Sequence, residues 1–178
     1  MTGTTELGRE DLLERLIGFD EEVALLFPGA RFELLIVGGG ALALLGVLDR
    51  PTSDIDVLAA PADLHQIMAR YDINGRVVAY EHNFPFNRDD RRQLLDLPTR
   101  AVTCYVASLE DLVAAKLCSQ RDQDADDLRN PTLIAKIDWQ ALDVVGGEMP
   151  QNCLNARVLG DFRFNYERYV KECRPCDL

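Results

Sequence analysis

Apolar residues recur at helical spacing near the start of the chain. Leu12, Leu16, Phe19, Val23 and Leu26 stand three to four positions apart. This predicts an amphipathic helix over Glu10 to Phe27, ended by Pro28-Gly29. Arg31 to Val37 (RFELLIV) then reads as a buried strand, and Gly38-Gly39-Gly40 follow it at once. Ala41 to Leu48 reads as a short apolar helix that runs into Arg50-Pro51-Thr52-Ser53. Asp54 to Leu58 (DIDVL) is a second strand, and Ala62 to Tyr71 a helix with Leu64, Ile67 and Met68 inward. A third strand is expected at Gly75 to Tyr80, an irregular polar loop at His82 to Arg92, and a fourth strand at Ala101 to Val106.

After that the pattern is helical throughout. Ser108 caps a helix carrying Leu109, Leu112, Val113, Lys116 and Leu117, with Asp111 completing a capping box. Asp124 to Lys136 and Trp139 to Val145 read as two more helices. Asn152 to Glu172 is the last, with Leu154, Val158, Phe162, Tyr166 and Tyr169 on a stripe that reads as core packing. The order predicts an α/β (α+β) fold, a mixed β-sheet with flanking helices and a helical C-terminal third. We expect a single domain over 1–178, with the sheet core at about 31–107 and the helical part at about 108–178.

Composition narrows the function. The chain has 178 residues, 47% of them hydrophobic and 28% charged, the profile of a folded domain. That length buries roughly 70% of the unfolded surface, so no metal or disulfide staple is required. No apolar run approaches the ~20 residues of a membrane span. The polar, acidic start, Met1 to Glu10, does not read as a secretory signal, so the five cysteines are expected reduced in the cytoplasm. The net charge of −11 argues against nucleic-acid binding by bulk electrostatics. Arg88, Arg91 and Arg92 form a local basic cluster, which Asp89 and Asp90 dilute.

The informative stretch is Leu35 to Leu58, LIVGGGALALLGVLDRPTSDIDVL. A strand turns through three glycines into a helix, which brings backbone close to a ligand and aims N–H groups at an anion. Asp54 and Asp56 share one face of the next strand, about 7 Å apart at Cα, while Ile55 points inward. Two carboxylates so placed repel, and a hard divalent cation, Mg²⁺ or Mn²⁺, relieves that repulsion. Phosphate cradle and carboxylate pair together are the apparatus of metal-assisted phosphoryl transfer. Gly38-x-Gly40-x-x-Ala43 also fits the fingerprint of a dinucleotide-binding oxidoreductase, with Asp56 as the distant acid. Geometry argues against it, because both acids sit at the start of their strand and the intervening helix is short.

VGGGALALLGVLDRPTSDIDVL resembles the opening motif of the nucleotidyltransferase superfamily that includes DNA polymerase β and the minimal nucleotidyltransferases. The Arg-x-Thr before Asp-Ile-Asp is similar to bacterial proteins related to abortive-infection (AbiEii-like) toxins. The later block, Glu110 to Leu117 and then Arg121 to Leu128, extends the resemblance over about residues 31 to 130. The resemblance implies that Gly38, Gly39 and Gly40 hold a nucleoside triphosphate, and that Asp54 and Asp56 bind the metal and are catalytic. Arg50 and Thr52 would shape the site, Lys116 would neutralise phosphate charge, and Arg121, Asp124 and Asp127 would form the later cluster. The acceptor hydroxyl is left open among an RNA end, a protein side chain and a small molecule, and a cognate toxin or antitoxin is an implied partner.

Three departures from the family pattern stand in the sequence, and the first favours a second reading, a non-catalytic member that binds a nucleotide or a protein partner. Ala101 to Val106 lacks the third carboxylate that active relatives place on a later strand, with Glu81 the nearest alternative. Gly40 and Gln123 replace a serine and a lysine. For Lys116, a packed stem with a solvated ammonium competes with a functional role. For Asp124, Asp126 and Asp127, stabilisation of a helix start competes. The Cys173-Arg174-Pro175-Cys176 tail, His65 and His82 read as unrelated to function, and Cys104 and Cys118 as small core residues.

Overall fold

The computed structural model describes residues 7–152 and 155–175. Its chain forms two compact units, Met1–Glu81 with Arg92–Ala107 and His82–Arg91 with Ser108–Leu178.

The first unit holds a five-stranded mixed sheet. Its strands are β1 (Phe32–Val37), β2 (Ile55–Leu58), β3 (Ile73–Asn74), β4 (Gln93–Leu94) and β5 (Val102–Val106), in the order β3-β2-β1-β5-β4. β1 pairs antiparallel with β2 and parallel with β5, β2 pairs parallel with β3, and β4 pairs antiparallel with β5. β1 is central, and its Leu34 to Val37 are buried, as a strand covered on both faces requires. Its helices are α1 (Arg9–Leu26), α2 (Gly38–Leu44) and α3 (His65–Met68), the last extended by 3₁₀ turns at Ala62–Leu64 and Ala69–Tyr71. Leu12, Leu16, Phe19 and Val23 line the buried face of α1, whereas Leu26, expected on the same stripe, is exposed.

A buried carboxylate ties α1 to the sheet. Asp20, 1% exposed, accepts hydrogen bonds from the backbone N–H groups of Arg100, Ala101 and Val102 at 2.7–2.8 Å. These donors lead into β5, and a buried carboxylate is tolerated because so many donors face it. Burial, together with nearby Asp20, pushes the Cys104 thiol up to about 12, so it is a core group and not a nucleophile.

The second unit is helical: α4 (Arg88–Arg91), α5 (Leu109–Leu117), α6 (Asp122–Leu128), α7 (Pro131–Lys136), α8 (Trp139–Asn152) and α9 (Ala156–Cys173). The Ser108 hydroxyl caps α5, accepting from the Asp111 N–H at 3.1 Å and donating to Asp111 Oδ2 at 2.7 Å. Asp111 is fully buried, and Arg91 binds it and Glu148 with paired hydrogen bonds of 2.8–3.2 Å. Phe162 and Tyr169 of α9 are buried, and the Tyr169 hydroxyl donates to the Leu128 carbonyl at 2.9 Å. Leu154, the first residue of the expected stripe, lies outside the described residues, as do Cys153 and Cys176.

Several elements differ from expectation. The third strand is Ile73–Asn74, and Val77–Asn83 is a 3₁₀ helix, so Glu81 is not on a strand. The glycines form the first turn of α2, which stops at Leu44, because Gly46 takes a left-handed φ of +66°. Asp124 to Lys136 divides into two helices, because Asn130 caps a new start with Pro131 at its first position. α8 runs on to Asn152, and Asn155, not Asn152, caps α9. The polar stretch His82 to Arg92 carries a helix and buries Phe84. Two arginines of its basic cluster meet carboxylates. Arg91 is paired as above, and in the first unit Arg92 lies 2.9 Å from Glu33 and 3.7 Å over the Tyr105 ring.

Asp20→Ala is expected to cost about 3 kcal/mol or more, because it strands buried N–H donors. Asp20→Asn, which keeps one acceptor oxygen, is expected to cost less. Urea denaturation midpoints of the two variants check this order.

Candidate functional site

The β1–β2 register decides where the site forms. Val37 pairs with Asp56, so the Asp56 side chain stands beside the residue that follows β1, Gly38. Gly38 has φ +70°, and a Cβ there would lie 2.7 Å from Asp56 Oδ2. Backbone conformation and space therefore both demand glycine. A Cβ on Gly39 would meet Arg50 Nη2 at 3.4 Å and Thr52 Oγ1 at 3.7 Å, and one on Gly40 the Asp54 carbonyl oxygen at 3.3 Å. Each glycine thus allows one close approach by the segment 50–56. α2 has no side-chain cap at its start, where the first N–H groups of any helix lack intrahelical acceptors.

The approaching segment is anchored from outside itself. Leu7, 1% exposed, exchanges two backbone hydrogen bonds with Thr52 at 2.8 and 3.1 Å. The Thr52 hydroxyl donates to the Asp54 carbonyl at 3.2 Å, and the Ser53 hydroxyl donates to Asp54 Oδ1 at 3.3 Å. Ile55 and Val57 are fully buried while Asp54 and Asp56 are half-buried, the alternation expected of a strand edge.

Asn74 is a site residue that the sequence pattern missed. It pairs with Asp56 in the β2–β3 register and donates from Nδ2 to Asp56 Oδ1 at 2.9 Å. An Asn-Gly pair reads as a turn, and a two-residue strand leaves no alternation to detect. A cleft of about 470 Å³ is lined by Asp54, His65, Asp72, Asn74 and Arg76 among others; Asp56, Gly38, Gly39 and Gly40 do not line it. Its volume is that of an ordinary small-molecule site. His65 therefore faces a cleft, with Nε2 3.3 Å from the Ala60 carbonyl oxygen, while His82 is exposed.

Lys116, Arg121, Asp124 and Asp127 gather in the second unit. Lys116 is 8% exposed, and its ammonium donates to Asp124 Oδ1 at 2.6 Å and to Asp127 Oδ2 at 2.8 Å. Arg121 Nε donates to Asp124 Oδ2 at 2.7 Å. The ammonium is thus paired, not solvated, and joins α5 to α6. Burial alone would raise the Asp124 carboxyl, but hydrogen bonds from Arg121, Lys116 and Ser119 outweigh it and hold the group at about 2. Asp126 is exposed and lies 3.7 Å from Arg129; it stands beyond the first turn of α6, so the expected role at a helix start does not apply to it.

A family profile described as "Nucleotidyltransferase of unknown function (DUF6036)" matches residues 14–174. The chain belongs to this nucleotidyltransferase family. Membership implies transferase activity and a nucleoside triphosphate substrate. Among curated proteins and among solved structures no match was found. Topology argues against the dinucleotide fingerprint. β1 and β2 are antiparallel neighbours, whereas that fingerprint belongs to a parallel βαβ crossover. No helix among the described residues is long and apolar enough to cross a membrane.

The donor set at Asp54 and Asp56 suits a cation that arrives with phosphate. Among the described residues no three His, Cys, Asp or Glu side chains converge on one point. Mg²⁺ characteristically takes one or two carboxylates and completes its shell with water and substrate phosphates. Two hard carboxylates beside a glycine turn and a guanidinium fit that pattern.

Two outcomes follow. Gly38→Ala is expected to cost at least about 1 kcal/mol from its left-handed φ alone, and thermal unfolding measures it. The Asp124 carboxyl is held below its unfolded value of about 3.9, so its contribution is complete above that pH and is lost as pH falls toward about 2. Asp124→Asn is therefore expected to lower stability at neutral pH and to flatten its decline between about pH 4 and 2, in urea titrations across that range.

Proposed function

We propose that the chain transfers a nucleoside monophosphate from a nucleoside triphosphate to a hydroxyl acceptor. The observation that carries this reading is the Gly38–Asp56 approach, a carboxylate set against left-handed backbone at the start of a helix. Arg50 lies over the neighbouring glycine. Backbone N–H groups of Gly38, Gly39 and Gly40, with the Arg50 guanidinium, would receive the phosphates. Thr52 would hold the segment in register through its bond to the Asp54 carbonyl. Asp54 and Asp56 would hold Mg²⁺ or Mn²⁺, which supplies charge neutralisation on the phosphates when bound. The acceptor hydroxyl would approach through the cleft beside Asp54, where a free carboxylate oxygen can take its proton as the oxygen attacks the α-phosphorus and pyrophosphate leaves.

Lys116 has a different part in this reading. Its ammonium already has two carboxylate partners, so we assign it, with Arg121, Asp124 and Asp127, to holding α5 and α6 together. The acceptor class stays open among RNA, protein and small molecules, and the pairing of Arg91 and Arg92 adds to the case against a broad RNA face. The Arg-x-Thr motif before Asp-Ile-Asp supports a toxin–antitoxin role with a cognate protein partner. Buried thiols at Cys104 and Cys118 suit a cytoplasmic setting.

One observation favours a second reading, nucleotide binding without turnover. The group beside Asp56 on β3 is the neutral amide of Asn74, where a third carboxylate would have strengthened metal binding.

Thermal unfolding with each nucleoside triphosphate, with and without Mg²⁺, tests the site. A ligand at 100 times its Kd adds about 2.7 kcal/mol, on the order of 5–10 °C for a chain of this size. The rise is expected to need Mg²⁺ and to vanish in Asp54→Asn/Asp56→Asn. Absence of any rise in the unsubstituted protein would sink both readings. A rise without release of pyrophosphate across a panel of acceptors would favour the second.

A further inference from the structure

Asn74 is fixed by its own turn before it reaches Asp56. The Arg76 backbone N–H donates to Asn74 Oδ1 at 3.1 Å, an Asx turn. With the oxygen so engaged, the amide nitrogen faces Asp56 and donates to Oδ1 at 2.9 Å. The other oxygen of that carboxylate, Oδ2, lies 2.7 Å from where a Cβ on Gly38 would stand. Asp56 is thereby confined from both sides, by the residue following β1 and by the edge strand β3. Asn74 also lines the cleft with Asp54.

We propose that Asn74 is a positioning residue, whose amide holds the Asp56 carboxylate in the orientation that receives a nucleotide-bound divalent cation. This rests on the reading of Asp54 and Asp56 as the metal pair. A carboxylate at position 74 would face Asp56 with like charge, and an aliphatic side chain would remove the donor to Oδ1. The amide does neither. It is half-buried and sits on a two-residue edge strand, so its removal should register on metal affinity more than on folding.

The test compares the unsubstituted chain with Asn74→Ala and Asn74→Ser. Serine keeps a hydroxyl that accepts the Arg76 N–H, as in hydroxyl turns, but is too short to reach Asp56. Three quantities are read: Mn²⁺ affinity by electron paramagnetic resonance with a saturating α,β-methylene ATP analogue, analogue affinity without metal, and Tm. Loss of a supporting hydrogen bond to a metal ligand typically costs 10–100-fold in affinity, so Mn²⁺ is expected to bind about tenfold or more weakly in both variants. Metal-free analogue affinity and Tm are expected to stay close to those of the unsubstituted protein. Unchanged Mn²⁺ affinity in either folded variant would overturn the proposal and leave the metal-pair reading standing. So would a joint loss of all three quantities in Asn74→Ser, which would mark a merely structural residue. If the unsubstituted protein binds Mn²⁺ no better than Asp54→Asn/Asp56→Asn, the metal-pair reading fails and the proposal with it.

Discussion

The approach of Asp56 to Gly38 is the constraint on which the first unit's chemistry depends. It follows from strand register, since Val37 opposite Asp56 leaves the carboxylate facing the residue that turns β1 into α2. Only a residue without a Cβ fits at 2.7 Å and at a φ of +70°. The turn then forces α2 to start at once, which brings Gly39 under Arg50 and Gly40 under the Asp54 backbone. One register thus sets three contacts. A one-residue slip of β2 would bury Asp56 and expose Ile55 and Val57, so the hydrophobic core and the site enforce the same alignment.

Charge is organised differently in the two units. In the first, Asp20 is buried against backbone donors, and Asp54 and Asp56 are left half-buried at the start of β2. In the second, buried charges are matched, Lys116 against Asp124 and Asp127, and Arg91 against Asp111 and Glu148. Buried ion pairs add little over well-packed apolar groups, yet losing one partner is costly. Their effect here is geometric, because each links separate helices, α5 to α6 and α4 to α5 and α8. In the arginine cluster, Arg91 and Arg92 are likewise engaged by carboxylates.

The fold was legible where apolar periodicity was long. α1, β1, β5 and α5 emerge near their expected bounds because each carries several buried positions. Ser108 was legible as a cap because its partner stands at fixed spacing. Short elements were not: β3 and β4 have two residues each and show no period, and a left-handed Gly46 stops α2 early without a proline to announce it. Asp54, Asp56 and the glycines were legible because their residue types are unusual at a strand–helix junction. Asn74 was not, since its role comes from pairing with a strand fifteen or more residues earlier, and local sequence records no pairing. Lys116 was legible as a buried-side cation, whereas which carboxylates would meet it depended on how α6 folds back onto α5.

The neutrality of Asn74 bears on how a two-carboxylate site meets a polyphosphate. On the proposed reading, one divalent cation would balance Asp54 and Asp56. A third carboxylate would restore a negative charge where phosphate must approach, and would favour a metal ion held permanently by protein groups. With an amide at that place the cation gains little by arriving alone, and phosphate gains little by arriving without it. On the proposed reading, metal and nucleotide therefore bind as one unit, and the glycine turn has only to receive a partly neutralised anion. This assigns the hydrogen bond from Asn74 an electrostatic consequence beyond its modest strength, because it supplies order to Asp56 without adding charge.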